Sequence, residues 1–327
     1  MRIGNFEVRH GISLAPMAGF SDRAMRRVCL GMGAEYSVTE MISAKAVTFG
    51  DRKTFSLARI REDEGLVGLQ IFGSEPDVMA RAADILSRMT PDEGCVLPAV
   101  IDINMGCPVQ KIFNNGEGSA LMRDPELIYR ITRATRESSA VPVTVKIRTG
   151  IDDEHINAVE CAKAAEEAGA ALITVHGRTR KQMYSGIVDR ETIKNVKKSV
   201  QIPVIANGDI LSADDAVSML QETLADGVAV GRGAVGNPFI FREIVCRLEG
   251  REYTPPSLDE KVEVALLQLR LAIEDKGERI AVPEARKQIA MYLRSFKGAA
   301  RLRAEINQAT EYSEVERILT TALGEEV

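Results

Sequence analysis

The most constraining feature of this sequence is a repeated alternation of short apolar runs with longer amphipathic stretches over its first 240 or so residues. The apolar runs are rich in β-branched residues and predict eight strands, at 12–15, 36–39, 66–71, 100–103, 143–147, 172–175, 204–206 and 227–230. Amphipathic stretches between them predict helices, for example at 76–89, 125–138, 156–168 and 213–222. Eight strand–helix units predict an α/β fold of the (β/α)8, or TIM-barrel, type.

Local signals support these helices and favour the barrel over its main alternative. Ser74, Asp124 and Ser212 are expected to cap helix N-termini, and Gly169 is expected to end a helix. The alternative, a doubly wound open sheet, usually carries a GxGxxG loop at its first strand–helix turn. Here that turn, residues 15–19, has the sequence APMAG. The sequence therefore predicts a closed barrel.

The character of the chain changes near residue 255. Pro255-Pro256 marks a linker, and Ser257 is a suitable cap for a helix over 258–276. Further helical patterns cover 283–296, 299–308 and 313–323, without strand-like runs. We predict a barrel domain over residues 1–250, followed by a small helical bundle over 257–327.

Composition narrows the class of protein. The five cysteines are scattered and the chain has three histidines, so no zinc-type spacing is present and no metal site is expected. Unpaired cysteines suit a reducing compartment. The sequence has no signal-peptide pattern and no apolar run long enough to span a membrane. We expect a soluble, cytoplasmic monomer that does not bind membranes.

Polar, cationic or glycine-rich residues follow nearly every predicted strand, at the end where barrel enzymes carry their active sites. They are Pro16, Met17 and Ala18, Glu40, Gln70, residues 104–107, Lys146 and Arg148, His176 and Arg178, Asn207, Gly208 and Asp209, and Gly231, Arg232 and Gly233. The loops after strands seven and eight commonly bind phosphate through backbone N–H groups. Residues 207–209 and 231–233 occupy these positions, and Arg232 supplies a cation.

Lys146 and Gln70 indicate which kind of cofactor carries the phosphate. Lys146 lies within an apolar strand, where an amine is costly unless it meets an anion or a polar cofactor. The alternative is a lysine that extends to solvent at the barrel rim. Gln70 has a donor and an acceptor, which suits a flavin pyrimidine edge. Together with the phosphate loops, these residues predict FMN as cofactor.

Cys107 differs from the other cysteines because it lies at a predicted strand end, between Gly106 and Pro108. Gly106 lets the backbone approach a ligand, and Pro108 stiffens the chain beyond it. An unperturbed thiol is mostly protonated at neutral pH. We therefore predict that Cys107 acts as a general acid and not as a nucleophile.

With these residues assembled, the whole chain resembles the tRNA-dihydrouridine synthase family, most closely its bacterial B-type subgroup. The motifs that carry the resemblance are APMAG at 15–19, QIFG at 70–73, NMGCP at 104–108 with Lys111, GSALM at 118–122, KIR at 146–148, VHGRT at 175–179, NGD at 207–209 and GRG at 231–233. NMGCP followed by lysine is the most specific of these motifs, because APMAG also occurs in other flavin barrels.

The resemblance implies an activity and assigns roles. NADPH would reduce FMN, the flavin would pass hydride to C6 of a flipped-out tRNA uridine, and Cys107 would protonate C5. FMN would contact Pro16, Met17, Ala18, Gln70, Lys146 and His176, with its phosphate against Asn207, Gly208, Asp209, Gly231 and Arg232. Asn104, Lys111, Arg148 and Arg178 would hold the nucleotide or nearby phosphates.

The predicted bundle contains a basic segment that the net charge of −5 conceals. Residues 285–304 include six basic residues and no acidic one. We expect Arg286, Lys287, Arg294 and Lys297 to contact tRNA phosphates, with a solvated basic face as the alternative. Helical spacing favours packing over base stacking for Tyr292 and Phe296.

Two other functions stay open at this point. A flavin barrel that reduces a free pyrimidine, as dihydroorotate dehydrogenases do, would explain the phosphate loops but not the basic tail. An RNA-binding protein without catalysis would explain the tail but would be colourless. The sequence does not indicate which tRNA uridine is reduced, and it contains no dinucleotide fingerprint that would separate NADPH from NADH.

Overall fold

A computed structural model of the chain describes residues 1–294 and 298–324, and its central feature is a closed parallel barrel. The barrel strands are β1 (Ile12–Leu14), β2 (Tyr36–Val38), β3 (Val67–Phe72), β4 (Val100–Asn104), β5 (Val143–Arg148), β6 (Ile173–His176), β7 (Val204–Asn207) and β8 (Gly227–Val230). Each strand pairs in parallel with the next, and β8 pairs with β1, Val228 opposite Ile12. The predicted TIM barrel is confirmed and the open sheet is excluded.

Helices cover the outside of the barrel between successive strands. They are α1 (Arg23–Gly31), α2 (Pro76–Arg88), α3 (Pro125–Ser138), α4 (Ala158–Glu167), α5 (Arg190–Ser199), α6 (Ala213–Thr223) and α7 (Ile240–Leu248). Asp124 and Ser212 cap α3 and α6 as predicted, each accepting a backbone N–H. The prediction for Ser74 is wrong, because α2 begins after Glu75 without a side-chain cap. Gly169 (φ +94°) follows the end of α4, as expected for a helix stop.

Several short elements were not predicted, because two to six residues carry too little periodicity. They are the helices Ala44–Thr48, Arg52–Leu57 and Gln110–Asn114, the strand Ile42–Ser43 beside β3, and the strand pairs Arg2–Ile3 with Phe6–Glu7 and Ile60–Arg61 with Cys95–Val96. The N-terminal pair matters most for the barrel. Ile3 of this pair and the adjacent Val8 are buried in one apolar cluster with barrel residues such as Val100, Leu172 and Ile205. These contacts pack the N-terminal segment against the amino ends of the strands.

The chain after residue 257 forms helices α8 (Leu258–Lys276), α9 (Glu278–Ile289), α10 (Ala299–Ile306) and α11 (Tyr312–Gly324). The predicted start at residue 283 is wrong, because Pro283 lies inside α9, and the helix gives way to a 3-10 turn over Ala290–Leu293. An interior proline removes one backbone hydrogen bond and costs about 3 kcal/mol. Burial of Val282, Ala285 and Ile289 on the same helix offsets that cost.

The helical bundle and the first unit of the barrel share one apolar core. Ala24 and Val28 of α1, together with Phe239, are buried in the same cluster as the apolar residues of α8 and α9. Lys276 Nζ donates to Asp22 Oδ2 (2.7 Å), and Gln288 Nε2 donates to the carbonyl of Phe20 (3.3 Å). The bundle therefore contacts the barrel directly beside the loop after β1.

Candidate active site

A pocket of about 480 Å³ opens at the carboxyl ends of the barrel strands. The residues around it come from all eight strand ends or the loops that follow them. It is lined by Ala15, Pro16, Met17, Ala18, Phe20, Met41, Gln70, Asn104, Gly106, Cys107, Pro108, Val109, Lys146, Arg148, His176, Tyr184, Asn207, Gly208, Asp209, Ile210, Leu211, Gly231, Arg232 and Gly233. The barrel thus brings together every residue expected to bind the cofactor, the expected acid Cys107, and two of the four expected nucleotide contacts on the barrel, Asn104 and Arg148.

Cys107 is half-buried at the pocket wall, on a loop that several hydrogen bonds hold. Its backbone N–H donates to Asn104 Oδ1 (2.9 Å), and its carbonyl accepts from Ser119 Oγ (2.8 Å). Gly118 (φ +59°) lies against it, and a Cβ there would come 3.0 Å from Cys107 Cβ. Burial raises the pKa of the Cys107 thiol, although Arg148 and Lys146 oppose part of that effect. The thiol therefore stays protonated at neutral pH, as a general acid requires.

Lys146 and His176 form the cationic and neutral parts of the pocket floor. Lys146 Nζ donates to Asn207 Oδ1 (3.2 Å), and burial with the nearby charge of Arg148 lowers its pKa to about 8. Burial and the charges of Lys146 and the neighbouring arginines hold the pKa of His176 far below its ordinary value, so the imidazole is neutral. A buried amine of this kind is poised to meet an anion.

Gln70 is held by a buried acidic residue that the sequence analysis missed. Its Nε2 donates to Asp102 Oδ2 (2.7 Å), and its Oε1 accepts from Asn104 Nδ2 (2.8 Å). Thr144 Oγ1 donates to the other oxygen of Asp102 (2.6 Å). The available signal was an acidic residue inside an apolar strand, the same signal that identified Lys146.

The loops after β7 and β8 present backbone donors to the pocket. Within the described residues, the N–H groups of Gly208 and Arg232 have no hydrogen-bond acceptor. Gly208 (φ +129°) is required there, because a Cβ would lie 2.7 Å from Val188. The carboxylate of Asp209 pairs with both Arg178 (2.5 Å) and Arg232 (3.2 Å). The two arginines therefore balance the negative charge of Asp209, and its backbone is the part that contributes to this side of the pocket.

This set of donors fits a phosphorylated flavin. The free N–H groups and Arg232 suit a phosphate, whereas Lys146 and Gln70 supply the cation and the amide that a flavin ring system binds. Pro16, Met17 and Ala18 also line the pocket, and the N–H of Met17 donates to Ser21 Oγ (2.9 Å). These contacts place the loop after β1 against the same cavity.

Arg148 and Arg178 make contacts that the sequence could not reveal. Arg148 lines the pocket, but its guanidinium donates to the carbonyls of Gly106 (2.7 Å), Thr179 (2.9 Å) and Met183 (3.0 Å). Arg178 is buried and donates to the carbonyls of Ser185 and Gly186 (both 2.8 Å) as well as to Asp209. The expectation that Arg178 holds the substrate is not supported by this geometry, because its donors hold the loop after β6 instead.

Four cationic side chains lie on or against segments that adjoin residues of the pocket lining. Arg123 and Arg180 lie over Phe113, with 4.3 and 4.1 Å to the ring centroid, and Lys111 is exposed on the same short helix as Phe113. Lys287 of the bundle lies 4.2 Å from the ring centroid of Phe20, a pocket residue. We refer to these four residues, Lys111, Arg123, Arg180 and Lys287, as the cationic rim; they come from both the barrel and the bundle.

The other basic residues of the bundle are distributed differently. Arg294 is exposed, whereas Arg286 is half-buried and donates to the carbonyl of Ala309 (2.6 Å). Lys297 and Phe296 lie outside the described residues. Tyr292 is buried and donates to Gln268 Oε1 (2.7 Å), which confirms the packing role expected for it.

Across 1–294 and 298–324, no group of three or more His, Cys, Asp or Glu side chains is arranged to hold a metal ion. None of the helices described has the length and apolar character of a transmembrane span.

The closed parallel barrel, its pocket at the carboxyl ends of the strands and the half-buried thiol in the pocket wall are features of a barrel enzyme. The family model described as "Dihydrouridine synthase (Dus)" matches residues 13–327. The chain belongs to the dihydrouridine synthase family.

Curated relatives of similar length support this assignment. A "Probable tRNA-dihydrouridine synthase" of Rickettsia bellii is 41% identical over 309 residues, covering 94% of this chain and 93% of the relative. A "tRNA-dihydrouridine synthase B" of Shewanella oneidensis is 40% identical over 321 residues, covering 97% of each chain. Among solved structures, an old yellow enzyme homologue from Zymomonas mobilis aligns with 80% of this chain and 94% of its own, with a TM-score of 0.49 and 13% identity, which is too distant to inform the function.

Proposed function

We propose that the protein is an FMN-dependent tRNA-dihydrouridine synthase, which uses NADPH to reduce the C5–C6 double bond of uridines in tRNA. The observation that carries the proposal is that one pocket contains both the half-buried thiol of Cys107, whose pKa burial raises, and a set of donors suited to a phosphorylated flavin. Family membership and the names of the curated relatives support the substrate.

The pocket residues would bind the cofactor as follows. Backbone N–H groups at 208–209 and 231–232 and the guanidinium of Arg232 would hold the phosphate, with Asn207 fixing Lys146. Lys146, His176 and Gln70 would contact the ring system against the wall formed by Pro16, Met17 and Ala18. FMN, when bound and reduced by NADPH, supplies hydride to C6 of uracil.

Cys107 would complete the reduction by donating its proton to C5. Burial keeps the thiol protonated, and the Asn104 and Ser119 hydrogen bonds fix the loop that carries it. Bulk water would return the proton afterwards. The C5–C6 double bond thereby gains one hydride and one proton, which gives the saturated ring of dihydrouridine.

The cationic rim would bind the RNA backbone around a flipped-out uridine, because a base inside a helical stack cannot enter a pocket. We propose phosphate contacts at Lys111, Arg286, Lys287, Arg294 and Lys297, over a bundle domain that starts at residue 257. Asn104 and Arg148 line the pocket and would border the base. Arg178 would act on the substrate only through the loop that it holds.

The pKa of Lys146 leads to a pH prediction. The folded chain lowers this pKa from 10.5 to about 8, so the ammonium of the unbound pocket is lost as the pH rises through about 8. We expect the apoprotein to bind FMN about 10-fold more weakly at high pH, since a charged hydrogen bond is lost. Fluorescence titration across the pH range measures this, and Lys146→Gln should bind weakly without the pH dependence. A wild-type affinity that stays constant with pH would contradict it.

The same shift has the opposite consequence for the stability of the unbound protein. Because the folded-state pKa lies below the unfolded value of 10.5, burial of charged Lys146 costs stability below about pH 8. That cost is relieved as the pH rises from about 8 towards 10.5, so stability and FMN affinity should change in opposite directions.

A single-turnover assay tests the proposed function. The purified protein should be yellow, release FMN on denaturation, and convert uridines of unmodified tRNA to dihydrouridine after reduction by NADPH. Mapping the saturated positions identifies the target. A colourless protein that binds tRNA without reducing it would support the RNA-binding alternative, and reduction of a free pyrimidine alone would support the dihydroorotate-dehydrogenase-like one.

A further inference from the structure

A line of buried polar groups connects the floor of the pocket to the loop of Cys107. Asp102 Oδ2 accepts from Gln70 Nε2 (2.7 Å), Gln70 Oε1 accepts from Asn104 Nδ2 (2.8 Å), and Asn104 Oδ1 accepts from the backbone N–H of Cys107 (2.9 Å). Asp102 and Gln70 are only 2% and 1% exposed, and Asn104 is 9% exposed. Water therefore has little access to replace any of these bonds.

The direction of every bond in this line is fixed by its two ends. The N–H of Cys107 is always a donor, so Asn104 must turn its oxygen towards it and its NH2 towards Gln70. Gln70 must then face Asn104 with its oxygen and Asp102 with its NH2. The line closes only because Asp102 presents an acceptor there. If that acceptor were absent, the buried NH2 of Gln70 would lose its partner, and Gln70 would gain by rotating or shifting away from Asn104.

The orientation of Gln70 also decides what the pocket offers a ligand. Gln70 lines the pocket, and after its two bonds it retains one N–H and one oxygen lone pair. A rotated amide would exchange the positions of this donor and acceptor. The same rotation would take the acceptor away from Asn104 and thereby weaken its bond to Cys107.

We propose that Asp102 is a positioning residue: by accepting from Gln70, it sets both the hydrogen-bonding face of the flavin pocket and the conformation of the Cys107 loop. The cofactor half of this inference rests on the proposed function, whereas the half that concerns Cys107 does not. Asp102 touches neither the pocket surface nor the thiol, and it acts through Gln70 and Asn104.

Three variants separate the acceptor from the charge and from packing. Asp102→Leu removes the acceptor with similar size. Asp102→Asn removes the charge but can still accept from Gln70, because its NH2 can turn to the hydroxyl of Thr144, which lies 2.6 Å from the other oxygen. Thr144→Val removes that second bond and leaves the line from Asp102 to Cys107 intact.

The conformation of the Cys107 loop can be measured by the rate at which iodoacetamide alkylates Cys107. Peptide mass spectrometry follows this rate on the ligand-free protein. Cys95, which is half-buried and lies outside the pocket, serves as reference within the same molecule. We expect alkylation of Cys107 to become about 5- to 10-fold faster in Asp102→Leu, because a loosened loop exposes the thiol and lowers its pKa. Asp102→Asn and Thr144→Val should stay close to wild type.

The affinity of the apoprotein for FMN measures the second effect, the arrangement of hydrogen-bond donors and acceptors that Gln70 presents to the pocket. We expect a dissociation constant about 10-fold higher for Asp102→Leu, with the Asn and Val variants again close to wild type. Unchanged thiol reactivity and affinity in Asp102→Leu would overturn the inference. So would an Asn variant that behaves like Leu, since charge would then be the cause.

A second variant, Gln70→Met, tests the same line of hydrogen bonds. If Asp102→Leu does not fold, Gln70→Met interrupts the line one step later while Asp102 keeps its bond to Thr144, and it should also accelerate Cys107 alkylation. An unchanged rate there would overturn the inference. If neither the wild type nor any variant binds FMN, the proposed function fails. The alkylation rates would still test whether Asp102 positions Cys107.

Discussion

Cys107→Ala is expected to slow the reduction of tRNA by about 10²- to 10⁴-fold, the range that general acid catalysis contributes. The substitution removes the half-buried thiol in the pocket wall but leaves the cofactor donors unchanged. NADPH should therefore still bleach the flavin at the wild-type rate. Single-turnover mixing of the pre-reduced enzyme with unmodified tRNA measures the step directly.

Cys95→Ala is the matched control for this variant, because Cys95 is also half-buried but lies outside the pocket. It should reduce tRNA as fast as the wild type. Wild-type turnover in Cys107→Ala would remove the assignment of this residue as the acid. The pH profile gives a second check, since burial raises the thiol pKa above its ordinary value of 9.0 and proton donation should persist to at least that pH.

Removing residues 255–327 is expected to destabilise the barrel itself, and not only to remove the RNA-binding surface. The cut would expose Val28 and Phe239, which are 3% and 1% exposed in the full chain, and would break the bond from Lys276 to Asp22. Exposing a large buried apolar side chain costs about 1.5–3 kcal/mol. We expect the melting temperature to fall by about 10 °C or more.

Charge reversal in the full-length chain separates this structural effect from RNA binding. Lys287→Glu with Arg294→Glu should keep the melting temperature and weaken tRNA affinity by about 10-fold or more, with a shallower salt dependence. Thermal denaturation and binding at several salt concentrations measure the two effects. If the truncated barrel has the same melting temperature as the full-length protein, the shared core contributes little to stability.

The barrel could be predicted from the sequence because each of its strands is buried on both faces and appears as a continuous apolar run. Strands such as Val143–Arg148 were located to within a residue or two for that reason. The extent of α9 could not be predicted, because Pro283 is a strong local signal against a helix interior. Its cost is offset by packing against α8, a tertiary effect that no local pattern contains.

The residues of the site likewise fall into those that the sequence predicts and those that only the fold reveals. Cys107, Lys146 and Gln70 were found because each is a polar residue at a strand end in a fold that collects strand ends in one place. The role of Arg178 was not found, because a buried arginine and an exposed one have the same local sequence. Only the fold shows that its donors meet Asp209, 31 residues away along the chain, and the carbonyls of the loop after β6.

The core shared by the first barrel helix and the last helices sets the order in which a nascent chain can fold. The outward face of α1 finds its partners more than 200 residues later, because Ala24 and Val28 are buried in one apolar cluster with residues of α8 such as Leu258. At about 5–20 residues per second, a ribosome needs at least ten seconds to supply them. During that time an apolar helix face emerges without its cover, so we expect the N-terminal segment to be open to chaperone binding until α8 and α9 have been synthesised.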